Sequence, residues 1–199
     1  MLIVNDIILP VRKKLADQDE KKWSNEELID NINSSLIEIC RDTLIFKNTI
    51  KIELFHEKPT YPLPNDFLSI IHATIKDENC DVKSYDYIQK NYLNIQDHTI
   101  AIDGVRLHLY PTSNKSMRFS YNYYIQIEEI EDNIELPLFT KNAIVFYVMH
   151  LAHQTQTSKN SHLKTKDYFS LYKAEINMIK ETLLSNKNSK KVRTTYQKV

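Results

Sequence analysis

The sequence predicts an α+β protein: a split helical bundle of about four helices, an inserted antiparallel β module and an extended C-terminal tail. Three observations predict it. Trp23-Ser24-Asn25-Glu26-Glu27-Leu28-Ile29 has the form of a strong helix start. The hydrophobic period then drops to two between about Thr49 and Ile127. Beyond that, Leu136-Pro137-Leu138-Phe139-Thr140 opens a second helical region. The expected parts are N-terminal bundle helices over 1–47, the β module over 48–127, C-terminal bundle helices over 128–185, and a basic tail or docking arm over 186–199.

The first helix is expected from about Asn5 to Ala16, capped by Asn5 or Asp6. Ile7, Ile8, Val11 and Leu15 share one face at helical spacing. Pro10 is tolerated if the helix starts late and kinks it otherwise. Asp17 to Lys22 is a charged connector. Ser24 then serves as N-cap, its hydroxyl accepting the amide of Glu27 while the Glu27 carboxylate reaches back to the amide of Ser24. Trp23 before the cap and Leu28 at the fourth helical position can form a hydrophobic staple. The helix runs to about Leu44, with Leu28, Ile32, Leu36, Ile39 and Cys40 as a stripe that Ile29 and Ile37 broaden. A stripe this wide suits more than one packed neighbour. Asn31, Asn33, Ser34 and Ser35 fill the other face and are weak helix formers.

The β module begins with the alternating run Thr49 to Phe55. Thr60 to Phe67 is extended, because Pro62 and Pro64 bias their predecessors that way. Leu68 to Ile75 is a strand and Lys76 to Asn79 its turn; Val82 to Ile88 is a weaker strand, followed by a helical turn over Gln89 to Leu93. Asp103-Gly104 joins the strands Thr99–Ile102 and Val105–Tyr110 as a hairpin, and Gly104 is the one glycine in the chain. Met117 to Ile127 is a long Tyr- and Phe-rich strand, which brings the module to about five or six strands. A solvated acidic loop leads into the third helix, which starts near Pro137, continues through Phe139, Ala143, Ile144, Phe146, Tyr147, Val148, Leu151 and Ala152, and is the most buried expected. The fourth spans about Leu163 to Leu184, with Leu163, Tyr168, Leu171, Tyr172, Ile176, Ile179 and Leu183 inward.

Composition narrows the function. The 199 residues are 42% hydrophobic and 26% charged, which is globular, and 26 basic residues balance 26 acidic ones. Nucleic-acid binding by overall charge is not supported. One glycine cannot build a dinucleotide fingerprint or a phosphate loop. Cys40 and Cys80 show no spacing that implies a disulfide, and Cys40 reads as a buried free thiol. The apolar N-terminal stretch lacks a basic leader and a cleavage site, and no apolar run is long enough to span a membrane, so synthesis in a cytoplasm is expected.

No catalytic constellation, cofactor site or metal site is expected. His150 and His153 stand three apart on a helix, but Leu151 and Ala152 lie where a metalloprotease helix needs its Glu. Ordinary helix histidines are the better reading. The loop carboxylates Glu128, Glu129, Glu131, Asp132 and Glu135 contain no spaced catalytic pair and suit a solvated loop or a basic partner. Phe119, Tyr121, Tyr123 and Tyr124 have the period of a stacking platform for single strands, yet aromatics at period two are more often half-buried. The tail carries Lys187, Lys190, Lys191, Arg193 and Lys198 without an acid. It reads as a plain terminus, an electrostatic arm or a docking arm, and Val192, Tyr196 and Val199 tip the choice toward docking. A nucleic-acid-binding protein using the tail and the Tyr-rich strand is the alternative function.

The order of these pieces resembles phage head-to-tail connector proteins, the adaptor or gatekeeper ring of short-tailed phages. The residues that carry the resemblance are Trp23 to Ile29 with Asn31, Ile32 and Asn33, then Tyr61-Pro62-Leu63-Pro64-Asn65-Asp66-Phe67-Leu68, then Leu136-Pro137-Leu138-Phe139 opening a hydrophobic helix before a last helix and tail. The resemblance implies a non-enzymatic virion protein at the head–tail junction, made in the bacterial host cytoplasm. It implies a ring, typically a dodecamer, below the portal, with DNA passing through the lumen without sequence reading. The implied partners are the portal protein, a tail or nozzle protein, and further copies of the chain, with no membrane. Under this reading the tail residues Lys187 to Val199 dock on the portal, and the acidic loop lines the lumen or meets a neighbouring subunit.

Overall fold

A computed structural model describes residues 2–155 and 159–189. The chain divides into two compact units, Met1–Ile45 with Ile125–Val199, and Phe46–Tyr124.

The first unit is the split helical bundle. Among the described residues it holds β1 (Leu2–Ile3), α1 (Asn5–Leu15), α2 (Asn25–Thr43), β10 (Asn133–Ile134), α4 (Lys141–Gln154) and α5 (Lys159–Ser189). Helix α4 is the hub, packing on α1, α2 and α5, while α2 also packs on α5. The pattern of α4 explains this role. Ala143, Ile144, Val145, Val148, Met149 and Ala152 are all buried, so it has few faces to give to water. Against it lie Ile7, Ile8 and Val11 of α1, and Leu28, Ile32, Leu36 and Ile39 of α2. Tyr172, Ile176 and Ile179 form the buried face of α5. Leu163 and Leu171, expected inward, are 65% and 45% exposed. A long helix apolar on several sides does not reveal from its sequence which side meets the bundle.

Both ends of α2 are sharply defined. Ser24 Oγ accepts the Glu27 amide at 3.1 Å and Glu27 Oε2 accepts the Ser24 amide at 2.8 Å, completing the capping box. Leu44 closes the helix in the left-handed conformation, its amide reaching the Cys40 carbonyl. The connector before Ser24 is built around a buried ion pair. Arg12 and Asp17 meet at 3.2 Å with side chains 4% and 2% exposed. Asp17 also accepts the amides of Lys21, Lys22 and Trp23, and Arg12 donates to the Trp23 carbonyl and to Asn25 Oδ1. Burial alone would raise the Asp17 carboxyl; the three amides and the guanidinium outweigh it and hold the group below the usual carboxylate range.

Two helix starts differ from expectation. Neither Asn5 nor Asp6 caps α1. Val4 occupies that position without a side-chain bond, and the amides of Val4 and Asn5 donate instead to the carbonyls of Asp132 and Ile130. Pro137 lies outside its helix, with ψ at 148°. Its carbonyl accepts the amide and hydroxyl of Thr140 across a 3-10 turn over Leu138–Thr140, and α4 begins at Lys141.

The second unit holds two four-stranded sheets. One orders β2 (Lys47–Glu53), β9 (Ser116–Tyr123), β4 (Phe67–Ile75) and β5 (Glu78–Asn79); the other orders β3 (Thr60–Pro62), β8 (Arg106–Tyr110), β7 (Thr99–Asp103) and β6 (Asp81–Val82). Pairing is antiparallel except between β6 and β7. Strands from both sheets feed one core, with Ala73, Ile75, Met117, Phe119 and Tyr121 from the first and Tyr61, Ile100, Leu107 and Leu109 from the second. The expected hairpin forms, with its turn one residue on: Asp103 pairs with Arg106, leaving Gly104-Val105 as the turn and Gly104 at φ +56°. Residues 82–88 were expected as strand and are mostly helix. Ser84 accepts the Tyr87 amide and starts α3 (Tyr85–Asn91). Strand β9 ends at Tyr123, short of the expected Ile127.

Candidate functional site

The acidic loop is a braced structure at the edge of the helical unit. It begins at Ile127, whose amide and carbonyl are both bound by the Asn33 side chain of α2 at 2.9 Å. It is turned by Asp132, whose Oδ2 accepts the amides of Glu128 at 2.8 Å and Glu129 at 2.9 Å. Those two amides hold the Asp132 carboxyl below its ordinary range. It ends at β10, which pairs antiparallel with β1, Leu2 opposite Ile134. The buried side chains of Ile127, Ile134 and Leu136 pin the loop from beneath.

This bracing separates the five carboxylates by role. Asp132 is half-buried and organises the backbone, while Glu128, Glu129, Glu131 and Glu135 are exposed. Among the described residues none of these four pairs with a cation. A cleft of about 290 Å³ beside the loop, lined by Glu26, Asp30, Asn33 and Glu128 among others, extends the acidic surface onto α2. The chemistry on offer is negative potential on a fixed backbone, suited to a cationic protein surface or to repelling phosphate.

The proposed portal-docking residues Lys187, Lys190, Lys191, Val192, Arg193, Tyr196, Lys198 and Val199 lie outside the described residues, except that the backbone of Lys187 belongs to the end of α5.

The helix histidines sit in an aromatic seam between α4 and α5. His150 Nδ1 donates to the Thr165 carbonyl at 2.9 Å, leaving Nε2 to accept from Gln154 Nε2 at 3.0 Å. Its ring lies 4.9 Å from Phe169, and the buried His153 ring stacks on Tyr168 at 5.5 Å. Among the described residues no group of three or more His, Cys, Asp or Glu side chains is placed to hold a metal. Cys40 and Cys80 are free and buried, and burial pushes both thiols up to about 11. No described helix is long and apolar enough to cross a membrane.

The Tyr-rich strand does not present a stacking platform. Phe119 and Tyr121 are 0% and 2% exposed within the sheet core, and Tyr123 stacks on Phe46 at 5.1 Å. The surface aromatics of this unit lie elsewhere. Strands β3 and β8 and helix α3 line an open cleft of about 550 Å³ that includes Tyr85, Tyr92, Arg106, His108 and Tyr110. The Tyr85 ring rests 4.3 Å from His108, and Tyr92 meets Tyr110 edge-on at 6.4 Å. Tyr and Arg in a recess are the residue types that anchor protein interfaces. The strand reading of 82–88 hid this cleft, and Ser84 as an N-cap was the available signal.

A family model described as SU10 adaptor protein matches residues 4–194, spanning both halves of the bundle and the β unit between them. No curated protein matches the chain.

Proposed function

Because this chain belongs to the SU10 adaptor protein family, a phage head–tail adaptor family, we propose that it assembles as a ring below the portal, joins the portal to the tail, and surrounds the channel through which DNA passes. Membership itself makes the chain a phage adaptor, a virion component with a structural role. The carrying observation is the span of the match, which takes in the whole split bundle with its insertion. In this reading the bundles pack side by side, typically as a dodecamer, and the β unit meets the next tail or nozzle component. The cleft with Tyr85, Tyr92 and Arg106 supports that assignment as a recess with anchoring residue types. The residues from Lys187 onward reach the portal. The acidic loop either borders the DNA channel, where carboxylates keep the phosphate backbone sliding and unbound, or meets a neighbouring subunit.

The test is mass measurement of the full chain alone and after mixing with portal rings. A portal-dependent particle holding many copies is expected. A chain that never joins the portal, or one that binds free duplex DNA with strong salt dependence, ends the adaptor-ring reading.

A further inference from the structure

We propose that the flank of α5 carrying Lys166, Lys173 and Lys180 receives the acidic loop of a second copy of this chain. The proposal rests on the ring reading above and assigns the loop to the subunit boundary.

The spacing of these lysines is seven residues, which places them on one flank of the helix about 10.5 Å apart. All three are exposed. Lys173 is fixed in place, its Nζ 2.9 Å from Asp42 Oδ2 and over the Phe169 and Tyr172 rings at 5.4 and 5.2 Å. Lys166 and Lys180 have no carboxylate within 4.0 Å among the described residues. Phe169 and Leu184 share this flank at helical spacing and are 39% and 59% exposed. The flank is thus cationic with apolar area beside the charges, so a partner that pairs the lysines also removes apolar surface from water.

The acidic loop of the same copy does not serve this flank, since no ion pair joins them among the described residues. Glu128, Glu129, Glu131 and Glu135 therefore offer negative charge without an ion-pair partner among the described residues, and Lys166 and Lys180 offer exposed positive charge on either side of the Asp42-bound Lys173. Two different, complementary patches on one chain make a head-to-tail contact, and such contacts propagate and close into rings. Zero net charge fits the same arrangement, because neither copy repels the other as a whole.

The experiment uses two full-length variants. One carries Glu128→Lys, Glu129→Lys and Glu131→Lys, sparing Asp132; the other carries Lys166→Glu and Lys180→Glu, sparing Lys173. Far-UV circular dichroism and melting establish that each is folded. Each is mixed with portal rings alone, then both together in equal amounts, and particle mass is read. Alone, each variant sets like charge against like charge and loses assembly by about tenfold or more. Together, each reversed loop meets an oppositely charged flank, and alternating assembly returns. Wild-type assembly by both variants alone, or a mixture as defective as its components, overturns the contact while leaving the ring intact. Failure of the wild-type chain to assemble on portals overturns the ring reading and this contact with it. Loss of duplex DNA binding by the flank variant with assembly unchanged would assign the lysines to phosphate and overturn the proposal.

Discussion

The Asn33 side chain closes both hydrogen bonds of a β-type pair with the backbone of Ile127, 94 residues away. Its Nδ2 donates to the Ile127 carbonyl and its Oδ1 accepts the Ile127 amide, each at 2.9 Å. An amide side chain offers a donor and an acceptor at this spacing without carrying a charge. The bond ties the start of the acidic loop to α2 just where the chain returns to the helical unit. Asn33→Ala leaves two half-buried backbone groups without these partners and should cost about 1–3 kcal/mol in urea unfolding. Hydrogen exchange at the Ile127 amide should accelerate in the same variant. Unchanged protection there would mean that the clasp does not hold the loop.

The Arg12–Asp17 pair should be equally exposed to mutation. Arg12 reaches Asp17, the Trp23 carbonyl and Asn25 with one guanidinium, so a point charge cannot replace it. Arg12→Ala should destabilise the chain by about 3 kcal/mol or more, and Arg12→Lys should recover only part of that. Equal stability of the lysine variant and wild type would reduce the guanidinium to simple charge.

The turns allow a prediction of opposite sign at two positions. Lys76 and Asp77 both have positive φ, 53° and 66°, between the paired residues Ile75 and Glu78, which is the geometry of a type I′ hairpin. Lys76 is unsuited to it and Asp77 tolerates it less readily than glycine, so Lys76→Asn with Asp77→Gly should add about 1 kcal/mol. Gly104 has φ +56° and no atom within 4 Å of an added Cβ, so Gly104→Ala should subtract about 1 kcal/mol through backbone strain alone. Thermal melts of the two variants should move in opposite directions.

Much of the helical unit was legible in the sequence because its signals are local. The Ser24 capping box depends on residues three apart, and the α2 stripe of Leu28, Ile32, Leu36 and Ile39 appears at plain helical spacing. The hairpin at Gly104 was visible for the same reason, although only the register reveals that Val105 shares the turn. The illegible features are long-range or ambiguous. Tyr85 and Tyr87 mimic strand alternation, and the Ser84 cap decides for helix. Phe119 and Tyr121 lose their platform role only once two sheets enclose them. The acidic loop was visible as charge, but its bracing by Asn33 and Asp132 and by the pairing of Leu2 with Ile134 joins distant residues, and no periodicity encodes that.

Acid should weaken the fold through particular carboxylates. Asp17, Asp42 and Asp132 are all held below the ordinary value of 3.8; for Asp17 and Asp42, burial opposes the shift and their hydrogen bonds overcome it. A depressed group binds fewer protons folded than unfolded at the same pH, so its stabilisation is fully present above 3.8 and is lost as pH falls through the depressed value. Melting temperature should therefore stay level from neutral pH down to the ordinary carboxylate range and fall below it. Asp17→Asn and Asp132→Asn should start lower and decline less steeply. An identical acid slope in both variants and wild type would assign the loss to other groups.

Truncation separates the fold from the assembly. The buried residues of α5, Tyr172, Ile176 and Ile179, all precede Lys187, and the Asp42–Tyr172 bond at 2.9 Å lies well inside the helical unit. Removing residues 187–199 should leave the melting temperature unchanged, since none of these contacts is touched, and take from the far-UV spectrum only the helical signal of the last turn of α5. If the tail is the portal-docking arm, the same variant should lose its place on portal rings while its charged flank and loop remain intact. Native mass measurement with portal reads this directly. A truncated chain that joins the portal as wild type does would move the docking surface off the tail and onto the bundle itself.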